Sequence, residues 1–173
     1  MKFKVLPYRP PQGPLPEQFS PGPRMYREGL AVEFSEDDGR TWVGNFQRGL
    51  GGASDAIAHP NGKHVIVVAG GQGYIVDPET RSLVATFGGQ IESIITVPEL
   101  QEIVFGNGIS FTAIGHEGLR WETHRLSWDG MQALLRAGTM LSGEAYDPRD
   151  DSWRPFSVNL NDGHTDGGSY DYR

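Results

Sequence analysis

The 173-residue sequence contains no cysteine. Without thiols the chain forms neither disulfides nor thiolate ligands, so a disulfide-stapled secreted fold and a zinc ribbon are both excluded. No segment approaches the roughly 18 consecutive apolar residues that a membrane helix needs. The N-terminal MKFKVLPYRPP has no apolar run of signal-peptide length. These absences predict a soluble cytoplasmic protein with no membrane partner.

Basic side chains are few and scattered after the N-terminal part of the chain. The net charge is −7; residues 1–29 carry five basic and two acidic side chains, +3, which leaves −10 for residues 30–173. An acidic surface repels phosphate backbones and attracts basic proteins. The charge distribution therefore predicts no nucleic-acid partner and favours a protein partner with a basic surface.

Proline is concentrated at the N-terminus, where seven of the twelve prolines lie within residues 1–23. Proline lacks an amide donor and has a fixed φ, which disfavours both a helix and a central strand. We therefore predict an extended arm over residues 1–24 and a single β-rich domain over residues 25–173. Deletion of residues 1–23 is expected to leave the domain intact, because such a segment contributes few ladder hydrogen bonds. A docking role for the arm is the alternative.

From residue 25 onward, short β-type runs alternate with turns rich in glycine, asparagine, aspartate and proline. The runs are LAVEF, HVIVVA, YIVD, SLVATF, ESIITV, EIVF, SFTAI and FSVNL. They predict a mainly β protein built as an antiparallel meander. For SWDGMQALLRAG, helix and strand both stay open, because Gly130 interrupts an otherwise helical pattern.

Polar turn residues recur at intervals typical of propeller blades. They are Asp38, Glu79, Glu117 and Asp150, which lie 41, 38 and 33 residues apart. A propeller blade is one four-stranded sheet of about 40 residues. The spacing predicts four such units and a propeller-like or partial-propeller fold, with a β-sandwich as the alternative.

The stretch SEDDGRTW, residues 35–42, places Ser35, Asp37, Gly39, Thr41 and Trp42 at fixed intervals. Short polar side chains bond to turn backbone, glycine adopts positive φ, and tryptophan anchors a core. The stretch resembles the Asp-box, or BNR repeat, of sialidase-like β-propellers. The resemblance implies a hairpin turn in which Asp37 is structural. It does not extend to sialidase activity, because the arginine cluster and tyrosine nucleophile of those enzymes are not matched.

The C-terminal part, which includes GEAYDPRDDSWRPFSVNL, resembles small uncharacterised bacterial β-rich proteins, and no function follows from that resemblance. Its turns carry aromatic and acidic side chains that are expected at the surface. The candidate binding surface consists of Trp128, Asp129, Asp147, Asp150, Asp151 and Trp153.

Patterns for catalysis or metal binding do not match. NLNDGHTDGG lacks the EF-hand spacing, since Gly163 arrives one position early and position 12 is Tyr170. AGGQGYIV continues as a strand, whereas a dinucleotide-binding loop would lead into a helix. The histidines show no metal-ligand spacing. We predict no catalytic residue, no metal site and no cofactor.

These observations favour a non-catalytic, acidic protein-binding module, of the adaptor or toxin-immunity type, in a bacterial cytoplasm. The alternative is a carbohydrate-binding or carbohydrate-processing protein of the Asp-box type, because aromatic faces stack on sugars. A homo-oligomer also stays open, since an incomplete propeller leaves sheet edges exposed.

Substitutions in SEDDGRTW test the hairpin interpretation. Asp37→Ala should lower the free energy of unfolding by about 1–3 kcal/mol, because turn amides lose their acceptor. Trp42→Ala should lower it by about 3–5 kcal/mol if the ring is a core anchor. Denaturant unfolding measures both values. An Asp37→Ala protein with unchanged stability and lost binding would instead assign the aspartate to a functional site.

Overall fold

A computed structural model describes residues 2–8, 13–22, 27–36 and 38–170 of the chain. The chain divides into two compact units, Met1–Ile91 and Glu92–Arg173. The expectation of one domain over residues 25–173 stays a prediction. Within the described ranges, no helix has the length and apolar character needed to cross a bilayer.

The first unit contains eight strands in two sheets. The strands are β1 (Lys2–Leu6), β2 (Glu17–Phe19), β3 (Leu30–Ser35), β4 (Thr41–Phe46), β5 (Asp55–Ala58), β6 (Val65–Ala69), β7 (Gln72–Asp77) and β8 (Ser82–Gly88). One sheet has the order β1-β3-β4-β2 and the other the order β5-β6-β7-β8. β2 runs parallel to β4, and the other described strand pairs of this unit are antiparallel.

The second unit also contains eight strands in two sheets. The strands are β9 (Ser93–Val97), β10 (Glu102–Gly106), β11 (Phe111–Gly115), β12 (Gly118–Glu122), β13 (Met131–Ala137), β14 (Met140–Asp147), β15 (Ser152–Asn159) and β16 (Thr165–Gly167). Both sheets are antiparallel meanders, β9 to β12 and β13 to β16, in which consecutive strands pair. A short 3₁₀ turn, Pro98–Leu100, lies between β9 and β10.

This architecture confirms the predicted fold class. The described residues are mainly β, and their strands form four open, antiparallel-rich sheets of four strands each. Four-stranded antiparallel sheets build both propeller blades and sandwiches. The propeller-like and sandwich arrangements are both consistent with these sheets.

The core of the first unit is made by side chains from both of its sheets. Val32 and Phe34 of β3, Phe46 of β4 and Tyr74 of β7 are fully buried in it. Burial of such a side chain contributes about 1.5–3 kcal/mol. The Tyr74 hydroxyl donates a hydrogen bond to the carbonyl oxygen of Gln47 at 2.6 Å, so the polar end of the ring is satisfied.

The core of the second unit joins its two sheets in the same way. The rings of Phe111 and Phe156, one from each sheet, lie 5.9 Å apart between centroids. Trp121 Nε1 donates to the carbonyl oxygen of Leu160 at 3.1 Å. A Cβ atom at Gly163 would lie 2.7 Å from the Trp121 ring, so the close approach of this turn to the ring requires glycine.

The ambiguous segment SWDGMQALLRAG forms a strand. Its residues Met131–Ala137 are β13, which pairs with β14. Ala133 adopts a φ of +51°, and the strand register shifts between Gln132 and Leu135. Hydrogen bonds to β14 decide in favour of the strand, because strand formation depends on neighbouring strands more than on local propensity.

The four predicted polar turn residues lie in turns between consecutive strands, one in each sheet. Asp38 lies between β3 and β4, Glu79 between β7 and β8, Glu117 between β11 and β12, and Asp150 between β14 and β15. The hairpins are not equivalent, because β8 and β12 are outer strands whereas β3, β4, β14 and β15 are inner strands. The spacing of these four residues therefore identifies one hairpin in each sheet, but the four hairpins do not occupy the same position in their sheets.

The structure differs from the expectation for the Pro-rich arm. β1 and β2 occupy the two outer positions of the first sheet, and Phe19 is buried against Phe46 with parallel rings 4.6 Å apart. Pro7, Pro16 and the other described prolines of the arm flank these strands without interrupting them, so the strands keep their amide donors. The expectation that this segment adds little to the core is wrong for the described residues.

Phe19→Ala should therefore lower the free energy of unfolding by about 3–5 kcal/mol, as for other buried aromatic truncations. Leu15→Ala is the matched control from the same segment, because Leu15 is 83% exposed and its loss should change stability by less than about 0.5 kcal/mol. Urea unfolding of the two variants measures the difference. If the two variants have the same free energy of unfolding, Phe19 is not a core residue and the prediction that residues 1–23 are dispensable would hold.

Candidate functional site

Trp128, a candidate surface residue, lies in a cluster of arginine and aromatic side chains. The guanidinium carbons of Arg125 and Arg149 lie 5.8 and 5.6 Å from its ring centroid, and the Tyr170 ring lies 4.6 Å away. Such stacking of guanidinium groups on aromatic faces is attractive. Trp128 is half-buried, and its Nε1 is buried with no hydrogen-bond partner. The chain itself thus encloses most of this side chain.

Asp147 ends β14 and points into the unit, with only 1% of its surface exposed. Its Oδ1 accepts the backbone N–H of Arg149 at 3.0 Å, and its Oδ2 accepts Nη2 of the same arginine at 2.8 Å. The Arg149 guanidinium lowers the pKa of Asp147 to about 2. Asp147 is therefore a buried, paired anion, and the prediction that it belongs to an exposed binding surface is wrong.

Asp150 is exposed, but its charge is compensated. Its carboxylate forms an ion pair with Arg154 and accepts a hydrogen bond from the Ser152 hydroxyl. An exposed ion pair of this kind contributes little to stability. The Arg154 charge nevertheless reduces the negative charge that Asp150 presents to a partner. Asp150 lies on the predicted surface without being a free carboxylate.

Trp153 is 40% exposed and pairs across the sheet with Tyr146, which the sequence analysis did not select. Their ring centroids lie 5.2 Å apart. Side chains alternate between the faces of a strand, so Tyr146 points to solvent where Asp147 points inward. This alternation along β14 is the signal that identifies Tyr146.

Asp151 borders this aromatic pair, and so does Asp129, because the Tyr146 backbone N–H donates to the carbonyl oxygen of the next residue, Gly130, at 3.2 Å. The Tyr146 hydroxyl donates to Asp151 Oδ1 at 2.8 Å. That hydrogen bond raises the pKa of Tyr146, and so do the partial desolvation of its ring and the negative charges of Asp151 and Asp129. Both carboxylates are exposed, and no described basic side chain forms an ion pair with either. We call Asp129, Tyr146, Asp151 and Trp153 the Tyr146–Trp153 face.

The stretch SEDDGRTW forms the hairpin between β3 and β4 in the first unit. Ser35 and Thr41 are a cross-strand pair, and Gly39 has a φ of +86°. Trp42 is 5% exposed and stacks on Phe34 with ring centroids 4.2 Å apart. Its resemblance to the Asp-box stays a prediction.

The described turn of this hairpin is held by a carboxylate other than the predicted one. Asp38 Oδ1 accepts the backbone N–H of Arg40 at 3.0 Å, and Asp38 Oδ2 accepts Nε of Arg40 at 2.7 Å. Asp37 lies outside the described residues, so its role in the turn stays a prediction. The turn interpretation is thus supported by Asp38 where the structure describes the chain.

Two clefts adjoin this hairpin. The smaller, of about 270 Å³, is bounded by Trp42, Glu33, Arg81 and residues 13–17. Trp42 Nε1 is buried without a hydrogen-bond partner, and the Arg81 guanidinium lies 5.7 Å from the ring centroid. The larger cleft, of about 620 Å³, contains Lys63, but that side chain is paired with Asp77 at 3.2 Å.

No group of three or more histidine, aspartate or glutamate side chains within residues 2–8, 13–22, 27–36 and 38–170 is placed to hold a metal ion. The glycine-rich NLNDGHTDGG stretch contains the end of β15, the following turn and β16, and Asn159 Oδ1 accepts the backbone N–H of Asn161 at 3.0 Å. The side chains of the Tyr146–Trp153 face can bind a cation through the charge of their carboxylates and through stacking on their aromatic rings.

The ion pair of Asp147 predicts a pH dependence of stability. The pKa of Asp147 is depressed in the folded protein, so its stabilising contribution is present above its ordinary value of 3.8 and is lost as the pH falls toward about 2. Asp147→Asn should destabilise the protein at neutral pH, and its deficit against the wild type should shrink over that acid range. Asp150→Asn, which affects an exposed pair, is the control. A deficit independent of pH would contradict the assignment.

In comparisons with known proteins, no family model and no curated protein matches this sequence. Among solved structures, a eukaryotic initiation factor shares 13% identity over 84% of this chain and 41% of its own, with a TM-score of 0.45. Hydrazine synthase from Kuenenia stuttgartiensis shares 12% identity over 70% of this chain and 50% of its own, with a TM-score of 0.34. The chain thus spans half or less of these two proteins, and likenesses this weak carry no argument about function.

Proposed function

We propose that this protein is a non-catalytic binding module whose acidic second unit docks a basic protein partner. The observation that carries the proposal is the division of charge between the units. Residues 92–173 carry 13 acidic and six basic side chains, a net charge of −7, whereas residues 1–91 carry nine of each. The whole net charge of the chain thus belongs to the second unit.

Most described arginines of the second unit are paired with carboxylates. The carboxylates that form no ion pair therefore dominate the charge of its surface. Arg120 pairs with Glu102, Arg136 with Glu99, and Arg154 with Asp150. Exposed carboxylates such as Asp129 and Asp166 have no such partner among the described residues. A concentrated negative charge accelerates the encounter with a basic protein and selects against acidic ones.

An adaptor or an immunity-type protein that covers a basic site would use a surface of this kind. We place this role in a bacterial cytoplasm, where the absence of cysteine causes no loss of stability. The charge supports the class of partner, and the identity of the partner follows from experiment.

A carbohydrate-binding role is the second candidate, and the cleft beside Trp42 favours it. The cleft, of about 270 Å³, has the size of a small ligand, and the buried indole N–H of Trp42 lacks an acceptor. Protein sites for small molecules combine aromatic walls with a few polar groups. A sugar that raises the melting temperature of the protein, and fails to do so for Trp42→Phe, would support this candidate.

The full-length chain should bind a fluorescent arginine nonapeptide, and raising the salt concentration should weaken that binding because exposed charges are screened. A glutamate nonapeptide is the control and should not bind. Fluorescence anisotropy measures both. Absence of binding to the arginine peptide at low salt would contradict the proposed function.

A further inference from the structure

One face of the sheet formed by β13 to β16 carries side chains that are exposed or only half-buried. The inward side chains of β14 and β15, such as Leu141 and Phe156, belong to the core of the second unit. Alternate positions point the other way, and there Trp153 keeps 40% of its surface exposed. An aromatic pair thus lies on an open sheet face in the acidic unit.

Two carboxylates, those of Asp151 and Asp129, border this aromatic pair. The arginines nearest in sequence already have partners: Arg149 pairs with Asp147, Arg154 pairs with Asp150, and Arg125 donates to the carbonyl oxygens of Ser127 and Trp128. Asp129 and Asp151 lack a basic partner among the described residues. An incoming cation would therefore meet two carboxylates that form no ion pair with a described basic side chain.

The face is also held in place before any partner arrives. Asp151 adopts a φ of +54° in the turn between β14 and β15, and its carboxylate accepts the Tyr146 hydroxyl. The ring of Tyr146 in turn contacts that of Trp153. Groups that are already ordered lose little conformational entropy on binding, which favours affinity.

We propose that the Tyr146–Trp153 face binds an arginine side chain presented by the protein partner. The planar guanidinium would stack on the aromatic pair and donate hydrogen bonds to Asp151 or Asp129, a combination that lysine does not match because its ammonium is compact and strongly hydrated. The same chain already stacks the Arg125 guanidinium 4.6 Å from the centroid of Tyr170. This inference rests on the proposed function and assigns it a site.

The arginine nonapeptide is the probe for this site. Trp153→Ala and the double variant Asp129→Asn/Asp151→Asn should each weaken its binding by about tenfold, because each removes one of the two recognition elements. Glu117→Gln/Glu122→Gln removes two exposed charges from the other sheet of the same unit and should weaken binding less than about threefold. Leu119→Ala, which truncates a side chain that is 64% exposed, is the apolar control. Thermal unfolding confirms that each variant is folded.

A measurement on the unaltered chain does not depend on the folding of any variant. The protein has four tryptophans, and their indole N–H groups give separate NMR signals. Titration with the arginine nonapeptide should move the Trp153 signal more than those of Trp42 and Trp121. A moving Trp42 signal with an unmoved Trp153 signal would overturn the proposed site.

The remaining outcomes separate the site from the function. If the wild type binds the peptide and both double variants weaken binding equally, the acidic unit binds cations but the site is refuted. If the wild type does not bind at all, the proposed function fails first. A lysine nonapeptide that binds as tightly as the arginine peptide would refute arginine stacking. A dimer in light scattering that Trp153→Ala dissociates would show that the face binds a second copy of the chain and would refute the basic partner.

Discussion

Hydrogen bonds from turn amides to carboxylate or amide oxygens at strand ends hold the hairpins on which the rest of this structure depends. Asp77 accepts the backbone N–H groups of Glu79 and Thr80, and Asn107 accepts those of Ile109 and Ser110. Asp147 and Asn159 act in the same way as the last residues of β14 and β15. The strands are only three to eight residues long, so a turn that shifted by one residue would exchange buried and exposed side chains.

Two of these acceptors are buried carboxylates, and each is stabilised by a cation from its own unit. Burial opposes the ionisation of Asp77, but the backbone amides of Thr80 and Glu79 and the Lys63 ammonium lower its pKa overall. Asp147 has Arg149 in the corresponding role. The inward position of Asp147 also directs its neighbour Tyr146 outward, because side chains alternate along β14. The turn that stabilises the second unit therefore builds its exposed aromatic surface as well.

The candidate surface shows where sequence reasoning reached its limit. Trp153, Asp129 and Asp151 could be selected as exposed turn residues, and the structure exposes them. Asp147 looked equivalent to Asp151 in the sequence DPRDD, yet the two differ because only Asp147 ends a strand on its inner face. Trp128 was selected as exposed, but Arg125 and Arg149 stack on it. Backbone geometry decides which carboxylate forms an ion pair with an arginine, and amino-acid composition does not reveal that geometry.

The sequence by itself determined the mainly β class, the sites of the hairpin turns and the acidic character of the C-terminal part. These features depend on neighbouring residues: alternation and β-branching indicate strands, and glycine, asparagine and aspartate mark turns. Only the tertiary structure decided that β2 pairs with β4, since Glu17 and Gly44 meet across 27 positions of chain. It also decided that SWDGMQALLRAG is a strand, that Phe19 is buried, and that Tyr146 and Trp153 form one surface. Those outcomes depend on contacts between distant residues, for which local propensity and charge carry no information.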